Sequence, residues 1–125
     1  MARFSIPALL AGGVTAATLL AGPALADPAA GKKAFEIQCS ICHSAGSVVY
    51  GGEQGPNLAG VVGRKAGSET NSPALTKLGV TWDRASLDTY LTDPAKMAPG
   101  GLMPISVPAA KTRMDLIDFL ETVKP

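Results

Sequence analysis

The segment FEIQCSICHSAG, residues 35–46, contains both cysteines and the single histidine of the 125-residue chain. These three side chains, Cys39, Cys42 and His43, lie within five consecutive positions. A disulfide between the cysteines would leave the histidine unexplained. A structural zinc site normally has four protein ligands, and the sequence holds no third cysteine and no second histidine. The segment therefore requires a chemistry that uses two thiols and one imidazole together.

The pattern C-x-x-C-H is the attachment signature of c-type haem. Two thiols add to the two vinyl groups of the haem, and the two intervening residues let one helical turn present both sulfurs along one haem edge. The next residue is then directed at the iron, for which a neutral imidazole is a good ligand. The pattern predicts one haem c, bound covalently through Cys39 and Cys42, with His43 on the iron. Three other interpretations stay open: a disulfide in a haem-free module, a thioredoxin-like pair, which would need a βαβ context, and zinc.

The first 26 residues, MARFSIPALLAGGVTAATLLAGPALA, have the order of a secretory signal peptide. Arg3 precedes an apolar stretch, and small residues form an A-x-A end at Ala26. We predict cleavage after Ala26 and export to the periplasm by the general route, because no twin arginine is present. A retained membrane anchor is the alternative, since residues 6–25 are about long enough to span a bilayer. Their Gly, Thr and Pro content argues against it.

The remaining residues, 27–125, form one predicted domain. Cleavage would remove Arg3 and no acidic residue, so the 11 Lys and Arg of the full chain fall to ten and match its 10 Asp and Glu. A neutral chain without a basic run does not have the charge of a nucleic-acid-binding protein. A domain this small has a marginal core, and a cofactor often helps to stabilise it.

Helical periodicity predicts an all-α fold of three or four helices joined by long loops, with no sheet. Asp27 and Asp83 are plausible N-caps of the first and third helices, and Gly79 closes the second. The predicted helices span residues 29–41, 73–78, 83–93 and 109–123. Their apolar faces are Ala30, Ala34, Ile37 and Ile41, with Phe35 beside them, on the first helix; Leu87, Tyr90 and Leu91 on the third; and Leu116, Ile117, Leu120 and Val123, with Phe119 adjacent, on the last.

Two stretches are too rich in glycine and proline for regular structure. They are residues 44–72 and DPAKMAPGGLMPISVP, residues 93–108. Loops of that length in a small domain normally surround something. We expect these loops to wrap around the haem.

The second axial ligand of the iron cannot be another histidine of this chain, because His43 is the only one. Met97 and Met103, both in the second irregular stretch, are the candidates. We favour Met103, because the glycines before it permit close backbone approach and Pro104 stiffens the exit. Met114 lies in the last predicted helix, where packing in the core is the expected role.

Five segments of the chain together carry a family resemblance: GKKAFEIQCSICH (31–43), GPNLAGVVGRKAG (55–67), GVTW (79–82), YLTDPAKMAPGGLMP (90–104) and TRMDLIDFL (112–120). In their order and spacing they resemble the class I c-type cytochromes, the family of mitochondrial cytochrome c and bacterial cytochrome c2. The resemblance covers nearly all of residues 29–123. It implies the cytochrome c fold, wrapped around one covalently bound haem.

The resemblance also implies roles for individual residues. It places His43 and Met103 on the iron. It implies that the Pro56 carbonyl accepts the other ring N–H of His43 and so fixes the orientation of the imidazole. The remaining implied contacts are Arg64 and Trp82 with a haem propionate, Tyr90 beside Met103, and Gly31 and Phe35 against Leu116 and Phe119.

The chain departs from the family pattern around the exposed haem edge. Most of the lysines that surround this edge in the family are missing, and only Lys96 remains. Gln38, Ala95 and Leu102 stand at such places. We therefore expect docking through an apolar contact around Leu102, Met97 and Val107 rather than strongly electrostatic docking.

The predicted function is soluble periplasmic electron transfer, with one haem cycling between Fe(III) and Fe(II) under His/Met ligation, which favours a high potential. No catalytic residue and no small-molecule substrate are expected. The predicted partners are an electron donor and an acceptor, such as a membrane oxidase, a reaction centre or a dehydrogenase, met in transient complexes. The alternative is a dedicated subunit of one periplasmic dehydrogenase, for example for sulfite or methanol. A haem peroxidase or gas-binding protein is disfavoured, because no second histidine can serve as a distal acid or base.

Overall fold

The computed structural model describes residues 25–48 and 54–125. Within these ranges the chain forms five α-helices and no strand, with isolated bridges between Ala45 and Val48 and between Lys65 and Thr81. The helices are α1 (Pro28–Gln38), α2 (Pro73–Leu78), α3 (Arg84–Thr92), α4 (Pro94–Met97) and α5 (Ala110–Thr122). The described part of the chain is therefore all-α, as predicted, with one helix more than expected.

The predicted signal peptide falls largely outside the described residues, which begin at Leu25, so it stays a prediction. In the part of the chain that the structure describes, no helix has the length and apolar character needed to cross a membrane.

Side-chain caps explain where the helices begin. The Asp27 carboxylate accepts the N–H of Ala29, 2.8 Å away, and Asp83 caps α3 through the N–H of Ser86. The second helix ends at Gly79, whose φ of 65° is left-handed. These three ends agree with the sequence analysis.

The short helix α4 was not expected, because residues 93–108 read as irregular throughout. Asp93 both ends α3 and caps α4, its carboxylate accepting the N–H of Lys96 at 3.1 Å. Pro94 follows in the first turn of α4, where a missing N–H costs nothing. This Asp-Pro pair is thus a helix start as well as a helix stop.

The crossing of α1 and α5 brings the two ends of the domain together. A Cβ on Gly31 would lie within 3 Å of the Asp115 carbonyl, so only glycine allows the two backbones to approach this closely. The rings of Phe35 and Phe119 are 5.5 Å apart, and Phe35 and Leu116 are fully buried. The implied contacts of Gly31 and Phe35 with Phe119 are therefore confirmed, and Leu116 belongs to the same core cluster.

The outer face of α1 differs from the prediction. Ile37 and Ile41 are 74% and 68% exposed, although their spacing had placed them on the buried side. The helix turns Gly31 and Phe35 towards α5, and these two residues are four positions apart. Ile37, two residues beyond Phe35, therefore points away from α5.

The third and fifth helices are joined by ion pairs as well as by apolar packing. Arg84 of α3 lies 2.7 Å from both Asp118 and Glu121 of α5. Arg113 and Asp115 of α5 are buried, whereas Met114 between them is 39% exposed. The expectation that Met114 packs in the core is wrong, because its neighbours on either side face inwards.

Candidate haem site

Both cysteines and the histidine lie on a tight turn that follows α1. The helix ends at Gln38, and the N–H groups of Cys42 and His43 both donate to the carbonyl of Cys39, at 3.0 and 2.9 Å. Cys39 and Cys42 are partly buried free thiols. The turn thus gathers two thiols and one imidazole in one short piece of backbone, and it explains why α1 ends before the predicted residue 41.

The ring of His43 is held in one tautomer. Its Nδ1 lies 2.8 Å from the carbonyl oxygen of Pro56. A backbone carbonyl only accepts, so Nδ1 carries the proton and donates it, and Nε2 keeps a free lone pair. A neutral imidazole with an open Nε2 is the form that binds a metal ion. The contact is the one that the resemblance implies for Pro56.

Gly55 packs directly against the same ring. A Cβ built on Gly55 would lie 2.3 Å from Cε1 and 2.6 Å from Nδ1 of His43. The N–H of Gly55 donates to the Cys42 carbonyl at 2.8 Å, which keeps the two segments in contact. In the sequence Gly55 opens the segment GPNL, and no role was predicted for it. The signal in the sequence was its position: Gly55 directly precedes Pro56, whose carbonyl contacts His43, so it had to lie close to the ring as well.

Cys39 lies in an apolar environment. Burial raises the pKa of its thiol to about 11. A thiol of this kind is a poor thiolate ligand for a metal ion. Among the described residues, no group of three or more His, Cys, Asp and Glu side chains could hold a metal ion together. The surroundings fit a thiol that is joined to a large apolar group such as the haem ring.

Arg64 and Trp82 are brought together by backbone hydrogen bonds. The N–H of Trp82 donates to the Arg64 carbonyl at 2.9 Å. The Arg64 guanidinium donates to the carbonyls of Asn57 and Ala59, at 3.0 and 3.4 Å, and is therefore anchored rather than free in solvent. A guanidinium has five N–H groups, so donors are left for an acidic group. The predicted contact with a haem propionate stays a prediction.

Tyr90 lies beside Trp82, with ring centroids 5.0 Å apart. Both aromatic residues belong to the buried core cluster. Cys39, Met97 and Met103 are partly buried and pack against this cluster. The structure therefore gathers the predicted tether, the aromatic residues and both candidate methionines around one apolar region. Both methionines are partly buried, so burial does not choose between them and the choice of Met103 stays a prediction.

The predicted docking surface needs one correction. Leu102 is 90% exposed, as a contact residue should be, whereas Val107 is only 2% exposed. Val107 is buried because its N–H donates to the Leu91 carbonyl at 2.7 Å and fastens this part of the loop to α3. Ile105, 44% exposed, is the apolar residue of this stretch that faces solvent together with Leu102.

Comparison with known proteins places these features in context. No family model matches the chain. A cytochrome c from Tetrahymena pyriformis is 39% identical over 100 residues, which cover 78% of this chain and 89% of the relative. A cytochrome c2 from Rhodomicrobium vannielii is 41% identical over 103 residues, which cover 79% and 81%.

Two solved structures resemble the fold described above. Cytochrome c2 from Rhodobacter sphaeroides matches with a TM-score of 0.71 and 28% identity, over 79% of this chain and 97% of that one. Cytochrome cH from Methylobacterium extorquens matches with a TM-score of 0.67 and 42% identity, over 77% and 98%.

Proposed function

Because the chain belongs to the class I c-type cytochromes, we propose that it is a periplasmic electron carrier whose haem iron is held by His43 and Met103. Membership of this family confirms the predicted cytochrome c fold and the single covalent haem c. The chain is an electron-transfer protein rather than an enzyme. The ligands, the compartment and the partners are the parts that we propose.

The observation that carries the proposal is the fixed orientation of His43. With its Nδ1 proton donated to Pro56 and its ring confined by Gly55, the imidazole keeps Nε2 as its only free nitrogen. The ring is ordered before any ligand arrives, so little entropy is lost on coordination. Cys39 and Cys42, on the same turn, are placed to tether the haem beside it.

The bound haem supplies one-electron exchange between Fe(III) and Fe(II). The chain's own residues hold and tune it. His43 donates through Nε2 and Met103 through its thioether, a pair that favours the ferrous state. Arg64 and Trp82 bind a propionate, and Tyr90 lies beside Met103. The buried apolar cluster keeps water away, which disfavours the more highly charged ferric state.

We place the mature protein, residues 27–125, in the periplasm after cleavage behind Ala26. It meets its electron donor and acceptor in transient complexes, and no nucleic acid is involved.

One feature favours the alternative of a dedicated dehydrogenase subunit, for example for sulfite or methanol. Leu102 is an almost fully exposed apolar residue that a permanent partner would cover. Co-purification with a dehydrogenase through a high-salt wash would support this alternative.

Visible spectra of the oxidised and reduced protein, made in a host that attaches haem, test the ligation. We expect low-spin bands and the weak far-red band of ferric methionine ligation. The far-red band should be lost in Met103→Ala and kept in Met97→Ala, a matched control from the preceding helix. A high-spin spectrum, or ready binding of carbon monoxide by the unmodified protein, would show an open iron and contradict the proposal.

A further inference from the structure

Arg113, at the end of the first turn of α5, is a buried charge with three partners. It is only 9% exposed. Its Nε donates to the Asp88 carboxylate of α3 at 2.6 Å. Its Nη1 donates to the carbonyls of Val107 and Pro108, at 2.9 and 2.8 Å. One side chain thus connects α5, α3 and the end of the loop that precedes α5.

That loop is the segment predicted to bring Met103 to the iron. The loop begins with a turn in which the Gly101 N–H donates to the Ala98 carbonyl. Beyond this turn, three hydrogen bonds join residues 99–108 to the rest of the described chain. One is the backbone bond from Val107 to Leu91, and the other two come from Arg113. All three lie at the exit of the loop. Met103 itself is held there by packing alone.

We infer that Arg113 is a positioning residue for Met103. It fastens the exit of the loop to α3 and α5, and so keeps the methionine sulfur at the iron without touching it. This inference rests on the proposed His/Met ligation. A thioether is a weak, neutral ligand whose bond depends on the loop being in place, so a loosened exit raises the fraction of molecules in which Met103 has left the iron.

The geometry requires arginine rather than any cation. The guanidinium is planar and presents donors in two directions, so it reaches Asp88 through Nε and both carbonyls through Nη1. A lysine ammonium is a single point of charge on a flexible stem and cannot reproduce this fork. Removing the side chain would also leave the buried carbonyl of Val107 without its donor.

The test uses imidazole as a competitor for the Met103 position in the ferric holoprotein. Because imidazole binds only when the loop is open, its apparent dissociation constant is inversely proportional to the open fraction. We expect Arg113→Gln to bind imidazole at least about tenfold more tightly than the unmodified protein. When the pH is raised, the far-red band of Arg113→Gln should also disappear at a lower pH than that of the unmodified protein. Arg113→Lys should fall between the two proteins.

Arg84→Gln is the matched control. Arg84 also bridges α3 and α5, through Asp118 and Glu121, but it makes no hydrogen bond to the loop. It should change imidazole affinity by less than about twofold, and because the Arg84 side chain is half-exposed it should lower the stability to guanidinium by less than Arg113→Gln does. Equal imidazole affinities in the Arg113 and Arg84 variants would overturn the inference and reduce Arg113 to a general stabiliser.

Failures of the two proposals can be distinguished. Absence of the far-red band in the unmodified protein would overturn the His/Met ligation and this inference with it. A normal band that persists in Arg113→Gln, with unchanged imidazole affinity, would overturn the inference alone. Should Arg113→Gln not accumulate, Asp88→Ala keeps the two carbonyl bonds and removes the acceptor on α3. A smaller increase in imidazole affinity is then required.

Discussion

The two sides of the proposed haem site, that of His43 and that of Met103, are held in different ways. On one side His43 is fixed by residues that touch it directly, with Pro56 on its Nδ1 and Gly55 against its ring. On the other side Met103 sits in a loop whose hydrogen bonds lie several residues away, at Val107 and Pro108. The histidine side is held by local contacts, and the methionine side by tertiary contacts made elsewhere.

This difference indicates which ligand can be exchanged. Under the proposed His/Met ligation, leaving the iron would require His43 to break its bond to Pro56 and to move against the Gly55 backbone, while the neighbouring thioethers keep it close. Met103 can leave through movement of one loop. We therefore expect ligand exchange, pH effects and most variant effects on the spectrum to come from the methionine side. The following predictions test this comparison.

Removal of the tethers should have the largest effect. Cys39→Ser with Cys42→Ser should abolish covalent haem, since no other cysteine exists in the chain. The mass of the denatured product then equals that of the polypeptide alone. Each single variant should keep one thioether and serve as the control for expression and export. Haem that stays attached to the double variant after denaturation would contradict the assignment of the cofactor to these residues.

The second largest effect should come from a methyl group added on the histidine side, compared with one added on the methionine side. Gly55→Ala places a Cβ 2.3 Å from the His43 ring, so the imidazole must move, whereas Gly101→Ala meets the Ala98 carbonyl at 3.0 Å. Neither glycine has a left-handed φ, so contact alone decides the outcome. We expect Gly55→Ala to lower the free energy of unfolding by about 2–4 kcal/mol and Gly101→Ala by less than about 1 kcal/mol. Denaturant titration of both holoproteins measures this difference, and equal losses would contradict it.

The exposed edge of the methionine side should exchange electrons with little dependence on salt. Leu102 is apolar and almost fully exposed, and residues 99–108 around it include no charged residue. We expect the rate of electron self-exchange between oxidised and reduced copies to change by less than about threefold between low and high salt. In Leu102→Lys the rate at low salt should fall, because like charges then face each other, and salt should restore it. NMR line broadening in mixtures of the two states measures both.

The smallest expected effect concerns Asp115, on the α1–α5 crossing behind the histidine side. Lys111 and the N–H of Asp27 both donate to Oδ1 of Asp115, at 2.5 and 2.8 Å. The hydrogen bond from Lys111, with support from that of Asp27, lowers the pKa of Asp115 below its ordinary value against the opposing effect of desolvation. Its stabilising effect is therefore present above about pH 4 and is lost as the pH falls through the lowered pKa. Asp115→Asn should be less stable than the unmodified protein at pH 7 and lose less stability on acidification. Thermal unfolding at both pH values measures this, and parallel profiles would contradict it.

Much of the histidine side could be predicted from the sequence because its signals are local. C-x-x-C-H fixes the order of three functional groups within one turn, and capping residues such as Asp27 and Asp83 mark helix starts directly. The same local signals misled at Asp93, where the prolines and glycines that follow led to the prediction of an irregular stretch although α4 begins there. These signals also misled at Ile37. Periodicity identifies an apolar stripe on a helix, but the position of the partner helix determines which part of that stripe is buried.

The role of Arg113 could not be predicted in this way. It depends on Asp88, 25 residues earlier in the chain, and on two carbonyls whose positions are set by the path of the loop. A sequence shows an arginine on a helix, for which an exposed position is the usual expectation. Val107 was misplaced for the same reason, since its burial follows from a backbone bond to Leu91 rather than from its own neighbours.

We expect the crossing of α1 and α5 to form late, after haem has been attached. The bond between Asp27 and Asp115 joins residues 88 positions apart, and closing so long a loop of free chain is entropically unfavourable until other contacts support it. Helix α5, which follows the other described helices in the chain, is thus needed to complete the packing of α1. Haem attachment at residues 39–43 can therefore take place on an open chain. A chain that ends before residue 110 should accept haem covalently and still fail to fold.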